Sequence, residues 1–410
     1  MPATPTAPTP EHPPALARCV PDTGRFLAEV FAIRAGRWER APFDDLLSLG
    51  DVDAILTGSG PRRPAVRVVR DGDVVDPATW TRRARTGAST IDDLVDPARL
   101  LALYADGATV VLQSLHRWWP PLTRFCDGLG RELGHPVQAN AYLTPPGAAG
   151  LTPHHDTHDV FVLQVHGAKH WTVREPLVEA PLGRHRSDHE VAARRPVAFE
   201  ADLAPGSCLY LPRGTIHSAR TADGSSLHLT IGVLATTVHD VIRALLDRAA
   251  EVPALRRTLP PRWASEPAVG QQCVKQAIDE LVRFLDDVDV GALAADLASR
   301  RQPGRPRFDG HLLELDRLGS LDDDARVRRR PAAVRSWSVV DERLRLDMAD
   351  RTVDLPAVLV PAVERLLDGR VHRVGELGDL LDASSRLVLV RRLVREGILR
   401  SPPPVEDHDG

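Results

Sequence analysis

The hydrophobic pattern of the chain changes its period several times, and its clearest stretch lies between residues 137 and 234. Apolar residues there form short runs rich in Val, Leu and Ile, and Gly or Pro separates one run from the next. Such β-rich runs between turn residues are typical of a double-sheet jelly roll or cupin barrel. The strands predicted from this pattern are 137–143, 158–165, 171–175, 197–203, 207–211 and 227–234.

Helical N-terminal elements precede the predicted barrel. Apolar residues at helical spacing alternate there with two strand-like runs, and Gly or Pro marks several of the boundaries. We expect this entry segment to join the barrel in one domain over 21–238. The predicted helices are 25–33, 43–49, 51–56, 91–105 and 118–133, and the predicted strands are 65–69 and 109–113.

After residue 238 the pattern becomes helical, with apolar residues at every third or fourth position in 239–251, 268–286 and 290–300. This predicts a helical middle domain over 239–305. Its stretches 241–250 and 274–284 carry apolar stripes that a monomer would leave open to water, so we expect a homodimer. The plainer alternative is a pair of packed helices that only connects the neighbouring domains.

The last part of the chain predicts a third domain over 331–401. A Pro/Gly/Arg-rich stretch and a charged segment precede it, and we interpret 306–330 as a linker. Residues 1–20 are expected to be a disordered tail, and 402–410 a second tail. The order of the predicted elements resembles a winged helix: strands at 334–340 and 344–348, then helices at 357–367, 376–381 and 384–396.

Composition adds limits rather than a function. With 43% hydrophobic and 26% charged residues, the 410-residue chain has the profile of a globular protein, and its net charge of −4 gives no global basic field. The N-terminus lacks the features of a signal peptide, and no run approaches the length of a membrane span, which predicts a cytoplasmic protein. Cysteines 19, 126, 208 and 273 are far apart and are expected to be free thiols.

The candidate chemistry lies inside the predicted barrel. His154 and Asp156 are two residues apart, and on a strand this spacing places both side chains on one face. Downstream, Gly206, Pro212 and Gly214 predict the turns that would bring His217 to the same point. Two histidines and one carboxylate hold non-haem Fe(II) and leave positions open for substrate and dioxygen. For an isolated His-x-Asp pair, ordinary loop residues would be the better interpretation.

Neighbouring residues leave alternatives open. His155 has the opposite parity to Asp156, so we expect it at the rim of the pocket or on the surface. His158 keeps the parity of the ligands and is a candidate for contacting substrate. Asp159 faces the substrate only if strand twist or a bulge turns it inward, and for both residues a solvated strand position is the plain alternative.

The use of lysine is informative because the chain has 52 Lys and Arg residues in total but only two lysines, Lys169 and Lys275. Arginine serves almost everywhere a positive charge suffices, so a lysine indicates a need for a compact ammonium. Lys169 lies fifteen residues beyond His154 on the next predicted strand. From there its ammonium group could reach into the barrel and pair with an anion.

At this point the sequence resembles a known family. The stretches that carry the resemblance are Gln-Ala-Asn-Ala-Tyr-Leu-Thr-Pro-Pro at 138–146, Pro-His-His-Asp at 153–156, Asp-Val-Phe-Val-Leu-Gln at 159–164, Gly-Ala-Lys-His-Trp at 167–171 and Pro-Arg-Gly-Thr-Ile-His at 212–217. They look like the JmjC ribosomal oxygenases, which are protein hydroxylases dependent on Fe(II) and 2-oxoglutarate. The resemblance covers most of the chain and implies a JmjC barrel, a helical dimerisation region and a C-terminal winged helix.

The resemblance also implies roles for residues. It implies His154, Asp156 and His217 as iron ligands, and Lys169, helped by Asn140, as the partner of the distal carboxylate of 2-oxoglutarate. Thr230 and His228 are weaker candidates for the pocket wall. The implied activity is hydroxylation, with O2 and 2-oxoglutarate as co-substrates, of an Arg or His side chain in a ribosomal protein or in another protein or peptide.

Two other functions fit parts of the pattern. The first is a non-catalytic cupin regulator that binds DNA through arginines 386, 391, 392 and 395 on the last long helix. However, 331–400 contains twelve Arg against eleven Asp and Glu, and DNA-binding modules concentrate more positive charge. DNA is therefore the less favoured partner. The second is a cupin that holds another divalent metal for hydrolase or isomerase chemistry.

Overall fold

The computed structural model describes residues 14–301, 308–348 and 350–402, with the backbone alone at 299–301. These residues divide into two compact units, one that ends at Pro303 and one that begins at Gly304. The helices of the first unit are α1 Ala15–Cys19, α2 Thr23–Glu29, α3 Leu49–Gly58, α4 Pro97–Ala105, α5 Pro120–Leu133, α6 His189–Ala193, α7 Val238–Ala249, α8 Pro267–Asp286 and α9 Val290–Arg301.

Thirteen strands belong to the first unit within the described residues. They are β1 Gly36–Glu39, β2 Val66–Arg70, β3 Asp73–Val74, β4 Thr81–Thr86, β5 Ser89–Val95, β6 Thr109–Leu112, β7 Val137–Thr144, β8 Asp159–His166, β9 Lys169–Arg174, β10 Val197–Leu203, β11 Ser207–Leu211, β12 Ile216–Thr221 and β13 Ser226–Val233.

Two antiparallel sheets form the centre of this unit. The large sheet has the order β1-β11-β8-β13-β7-β6-β2-β3, the small sheet has the order β10-β9-β12, and β4 and β5 form a separate hairpin. The crossovers between the two sheets are those of a cupin-type jelly roll, which confirms the fold class predicted for the barrel.

Strand β8 shows how the sheets pack, because seven of its eight residues are buried. Val160 and Val162 face the small sheet and belong to one apolar cluster with Trp171 on β9 and Leu203 on β10. The alternate residues, such as Phe161, belong to the main core on the opposite face of the large sheet. A strand covered on both faces needs a continuous apolar run, which is what the sequence provides.

The N-terminal helices supply the main core on that second face. Phe26 of α2 lies 5.0 Å from Tyr210 and 5.5 Å from Phe161, measured between ring centroids. Local signals fix the helix boundaries: Ser48 and Asp51 form a capping box at the start of α3, and Gly134 ends α5 in the left-handed conformation.

Two details of the N-terminal prediction and one of the barrel prediction are wrong. Residues 91–105 are not one helix, because β5 occupies the first part and α4 begins only at Pro97, where Asp96 caps the helix. Residues 43–49 form turns before α3. The pattern also did not reveal β12, whose polar residues Arg220 and His217 interrupt the apolar run.

Helices α7, α8 and α9 lie where the helical middle segment was predicted. Two of them expose apolar stripes at helical spacing: Val238, Ile242 and Leu246 on α7, and Val274, Ile278, Val282 and Leu285 on α8. No helix in the described ranges is both long and apolar enough to cross a membrane. All four cysteines are buried and free, as predicted.

The second unit has its own apolar core, built around buried residues such as Leu344, Leu366 and Leu393. Its elements are α10 His311–Asp316, β14 Arg326–Arg329, β15 Ser336–Val340, β16 Arg343–Asp347, β17 Thr352–Pro356, α11 Val360–Leu367, β18 Val371–Arg373, α12 Ala383–Arg395 and β19 Leu399–Arg400.

The segment 306–330 is more than the linker that was predicted. Its described part contains α10 and β14, and β14 is the central strand of the sheet β18-β14-β19. The second sheet of this unit has the order β15-β16-β17. β14 was not predicted because three of its four residues are arginines and only Val327 is buried.

Candidate metal and co-substrate site

The three residues predicted as metal ligands converge at the small sheet. One ligand atom each from His154, Asp156 and His217 lies within 4.8 Å of the other two. Nε2 of His217 is 3.6 Å from Oδ2 of Asp156, and the rings of the two histidines are 4.5 Å apart between centroids. Two imidazoles and one carboxylate of this kind form the donor set typical of non-haem iron.

The backbone explains how the ligands meet. His154 and His217 pair as an isolated antiparallel bridge, in which His217 N donates to His154 O at 2.8 Å and His154 N donates to His217 O at 3.2 Å. His154 and Asp156 therefore precede β8 and do not lie on a regular strand, as the parity argument had assumed. Gly214, with φ +89°, donates to Asp156 O at 3.0 Å and fixes the turn before β12.

Hydrogen bonds set both histidines in a metal-binding form. Nδ1 of His154 lies 2.8 Å from Thr152 O, and Nδ1 of His217 lies 3.1 Å from Thr215 O. A carbonyl oxygen only accepts, so each Nδ1 carries a proton, and Nε2 is the nitrogen of each ring that is left to bind a metal. Burial lowers the pKa of His154 to about 4, which keeps this imidazole neutral.

Asp156 supplies the negative charge of the site. Burial by itself raises the pKa of this carboxyl, but the surrounding histidines, His217 above all, bring the pKa below its usual value. The group is therefore ionised at neutral pH. A carboxylate beside two imidazole nitrogens is a donor set that a divalent cation would complete.

Lys169 lies in the same cavity as the three ligands. Its side chain is 2% exposed, and within the described part of the chain its one hydrogen bond goes from Nζ to Thr144 Oγ1 at 2.9 Å. Burial lowers the pKa of the ammonium group to about 7. A buried amine without a counter-ion is costly. The position therefore favours binding of an anion inside the barrel, as predicted.

One cavity connects the three candidate ligands with Lys169. Gly150 leaves space next to the lysine, since a Cβ there would lie 3.5 Å from Nζ. The cavity is lined by Tyr142, Gly150, Leu151, His154, Asp156, Val160, Val162, Lys169, Trp171, His217, Ser218, Ala219, His228 and Thr230.

Two polar atoms of this lining have no hydrogen-bond partner among the described residues: Nε1 of Trp171 and Nδ1 of His228. His228 stacks on Tyr142 at 5.0 Å and meets Trp171 edge-to-face at 5.4 Å, both measured between centroids. Burial, together with nearby Lys169 and His217, lowers the pKa of His228 well below its usual value. Buried polar atoms are normally satisfied, so these two indicate a polar occupant of the cavity.

Thr230 and Asn140 are paired in register on β13 and β7, but they differ in their contacts. Thr230 lines the cavity, as predicted. Asn140 does not belong to the lining, and its Oδ1 accepts a hydrogen bond of 2.8 Å from the N–H of Ser114. Ser114 has a left-handed backbone with φ 56°, so the amide of Asn140 stabilises this turn.

The residues around the His-x-Asp segment have separate roles. Of the two positions predicted for His155, the structure favours the rim, because the residue lines the open groove but is buried. Its ring contacts Ser187 Oγ at 2.8 Å and His185 O at 3.0 Å. His158 lines the open groove outside the cavity, and its Nε2 lies 3.2 Å from Gln138 Nε2.

Asp159 is fully buried and lines neither the cavity nor the groove. Its Oδ1 accepts from Arg213 N at 2.8 Å and so helps to position the turn before His217.

Comparison with known proteins agrees with this geometry. Residues 115–241 match the family model described as the JmjC domain, and they include all three candidate ligands and Lys169.

Residues 115–241 are a JmjC domain.

Curated relatives align with this part of the chain. Ribosomal oxygenase 2 from Bos taurus is 40% identical over 162 residues, which are 37% of this chain and 34% of that protein. Ribosomal oxygenase 1 from Homo sapiens is 31% identical over 232 residues, 55% of this chain and 35% of that protein. The bifunctional lysine-specific demethylase and histidyl-hydroxylase NO66 of Drosophila simulans is 35% identical over 177 residues, 40% of this chain and 20% of that protein. The chain thus spans about a third or less of the length of these relatives.

A similar fold is known over nearly the whole chain. The ribosomal oxygenase YcfD from Escherichia coli superposes with a TM-score of 0.51 over 93% of this chain and 98% of that chain, at 18% identity. A structure of the same protein in complex with cobalt and succinic acid gives a TM-score of 0.51 at 18% identity and covers 92% of this chain and 97% of that chain. At 18% identity, this likeness shows a similar fold and nothing further.

Proposed function

We propose that the chain is a 2-oxoglutarate-dependent oxygenase that uses Fe(II) and O2 to hydroxylate a side chain of a protein or peptide. One observation carries the proposal: a 2-His-1-carboxylate cluster and a buried lysine without a counter-ion line the same cavity. The cluster suits a divalent metal with open positions, and the lysine suits a carboxylate. Only an oxo-acid co-substrate makes use of both.

The residues present fit iron. His154 and His217 would each bind through Nε2, and Asp156 through a carboxylate oxygen. When bound, the iron with O2 and 2-oxoglutarate supplies the oxidation in which one oxygen atom goes to the substrate C–H bond and the other to succinate, with release of CO2. The protein holds the ligands from one side through the bridge between His154 and His217, and it leaves the cavity side open.

The residues present also fit 2-oxoglutarate. Lys169 would pair with its distal carboxylate, and Thr144 would keep the ammonium in place through the hydrogen bond already described. Thr230 and the unpartnered Nδ1 of His228 lie along the same wall and offer polar contacts. We assign Asn140 a supporting role, in which it stabilises the turn at Ser114 behind this wall.

The substrate would enter through the open groove next to the ligands. This groove is lined on one side by residues near the His-x-Asp segment, including His158, and on the other by Arg186 and Ser187 before α6. A groove open to the surface suits a side chain presented by a macromolecule. A ribosomal protein is our first candidate, because two of the three curated relatives named above are ribosomal oxygenases, and Arg and His are the side chains we favour.

Mass spectrometry of whole proteins tests this function. The purified chain is incubated with Fe(II), 2-oxoglutarate and a ribosome fraction from cells that lack the gene, with His217→Ala as the matched control. We expect one ribosomal protein to gain the mass of one oxygen atom with the wild type only. If the wild type releases succinate but no protein in the fraction gains mass, the assignment to ribosomal substrates is wrong.

We further propose the domain functions expected from the sequence. Helices within 239–305 would form a homodimer, because the stripes on α7 and α8 expose apolar side chains to water. The region 331–401 would be a winged helix that contacts protein. Arg386 binds Asp323, with Nε 2.7 Å from Oδ1, and Arg391 donates to Leu321 O at 2.8 Å. Internal partners of this kind leave α12 little free positive charge for DNA.

A further inference from the structure

The second unit ends one of its sheets with an open strand. Strand β15 is an edge of the sheet β15-β16-β17, and all five of its residues are exposed. The opposite edge, β17, is different, because its residues Val353 and Leu355 are buried in the core of the unit. The apolar face of the sheet is therefore covered at β17 and exposed at β15.

The exposed residues of β15 include two that belong on the core side. Trp337 pairs with Leu346 and Val339 pairs with Leu344, and paired residues of antiparallel strands point to the same face. Leu344 and Leu346 are fully buried, yet Trp337 is 41% exposed and Val339 is 50% exposed. The apolar face of the sheet thus continues past the core that covers it.

The usual protections of an edge strand are missing from β15. Proteins block open edges with proline, an inward charge or a bulge. Residues 336–340 contain no proline or charge, and their register with β16 runs without a shift. Charged residues lie only at the ends, Arg335 before the strand and Asp341 in the turn after it. An exposed apolar edge without these protections is suited to pair with another strand.

We propose that the partner strand is β15 of a second copy of this chain, paired antiparallel about Ser338. In this register Trp337 of one copy lies opposite Val339 of the other, twice. Arg335 of one copy would then lie near Asp341 of the other, in the turn that ends β15, also twice. The two sheets would then form one continuous six-stranded sheet with a dyad through Ser338.

Charge complementarity selects a second copy as the occupant. Arg335 and Asp341 form no side-chain hydrogen bond or ion pair within the described chain, so both are available. Opposite charges brought close at the two ends of the pair are favourable, and aromatic and β-branched residues directly across the pair are favourable too. The strand is complementary to itself at both ends and in the middle. This contact is separate from the α7 and α8 stripes and uses no residue of the JmjC cavity.

Two matched cysteine variants of the full chain test the register. In Ser338→Cys the two introduced thiols face each other at the dyad, with Cβ atoms about 5 Å apart. In Ser336→Cys they are about 13 Å apart, because four residues separate them along the strand. Both serines are exposed and all native cysteines are buried, so only the introduced thiols react readily. The probe is a bis-thiol reagent that spans less than about 10 Å.

We expect Ser338→Cys to give a covalent dimer at least ten times faster than Ser336→Cys. Equal rates, no dimer from either variant, or faster linking of Ser336→Cys would each overturn the pairing. The oxygenase assay of both variants is read in parallel. A loss of oxygenase activity would count against the proposed function only, and retained activity would not support the β15 pairing. The linking rates alone test the pairing.

Charge reversal separates a specific pair from simple collision. In the Ser338→Cys background, Arg335→Asp alone places two acids opposite each other, and Asp341→Arg alone places two arginines opposite each other. A mixture of the two variants restores both ion pairs. We expect the mixed dimer to link at the rate of the parent and each variant alone at least three times more slowly. A mixture that links no faster than its components would overturn the assignment of the second copy.

Discussion

At the scale of single residues, Lys169 places a buried amine in the candidate site, which the proposed co-substrate would neutralise through its distal carboxylate. A compact ammonium 2% exposed, with Thr144 as its hydrogen-bond partner, destabilises the folded chain unless an anion joins it. Lys169 was a candidate from the sequence because the chain has only two lysines. The sequence could not show that its side chain is buried. Stability and co-substrate binding therefore place opposite demands on the same side chain.

Replacement of Lys169 by Met separates the two demands. The variant should lose 2-oxoglutarate binding by at least tenfold, because the charged partner of the distal carboxylate is gone. Its thermal midpoint without co-substrate should equal or exceed that of the wild type, because a buried charge has been removed. Calorimetric titration and thermal unfolding measure the two effects. A clearly lower midpoint together with unchanged affinity would show that Lys169 is structural.

The pH dependence of stability follows from the same group. Lys169 has a pKa of about 7 in the folded chain against 10.5 as the reference for an exposed lysine. Between these values the unfolded chain binds the extra proton, so the free energy of unfolding rises with pH as far as this group is concerned. Below about pH 7 its full cost remains, because the lysine is then protonated in both states.

Urea unfolding of wild type and Lys169→Met from pH 6 to pH 10 isolates this contribution. The stability of the wild type relative to the variant should increase with pH across that range. The same titrations with 2-oxoglutarate present should show a smaller slope, because the anion holds the proton on the lysine. A constant difference between the two proteins at all pH values would contradict the assignment.

At the scale of elements, turns bring the functional residues together. Gly167 lies in the turn between β8 and β9, two residues before Lys169, with φ +61°. A Cβ there would overlap the carbonyl oxygen of Ser225 on the neighbouring backbone. Gly87, between β4 and β5, has nearly the same backbone with φ +59° but open space around it.

The two glycines therefore form a matched pair. Gly87→Ala should cost about 1 kcal/mol, the strain of a left-handed alanine. Gly167→Ala should cost about 2 kcal/mol more, because the backbone at Ser225, just before β13, must move. It should also weaken 2-oxoglutarate binding as Lys169 shifts. Chemical denaturation measures both variants. Equal costs would mean that the turn at Gly167 relaxes freely.

The stripe on α8 carries the prediction about the dimer. Ile278 is 55% exposed in the middle of the stripe, and Gln276 is exposed on the opposite side of the helix. Ile278→Lys should weaken self-association through α8 at least tenfold, since a charge would be buried in an apolar contact. Gln276→Lys introduces the same charge and should have no effect. Analytical ultracentrifugation decides, and equal behaviour of both variants would exclude this face.

The barrel strands were predictable because turn residues separate them and β8 is apolar on both faces. The strands that were not predicted lack a clear alternation of apolar and polar residues. β12 carries a polar ligand toward the cavity, β14 is charged, and β5 was hidden by the helical pattern that follows it. Local capping at Asp96, rather than hydrophobic period, decides where β5 gives way to α4.

For the site, the sequence predicted the three ligands and Lys169, which the structure brings into one cavity. His154 and Asp156 were predicted to share one face of a strand, but both residues precede β8 and lie on no regular strand. Convergence comes instead from the bridge to His217, a pairing between residues 63 positions apart that no local pattern can contain. The sequence also could not predict that Nε1 of Trp171 and Nδ1 of His228 have no hydrogen-bond partner among the described residues, because this depends on how the side chains pack.

At the scale of the whole molecule, the chain combines a JmjC domain, helices with exposed apolar stripes and a second unit with an open edge strand. Every proposed activity depends on one metal held by the three ligands. Anaerobic titration of the metal-free chain with Fe(II), followed by removal of free metal, tests this directly. The account predicts that the wild type retains a single ferrous ion per chain and that His217→Ala retains none. Wild-type protein that keeps no iron, or a variant that keeps as much as the wild type, would contradict it.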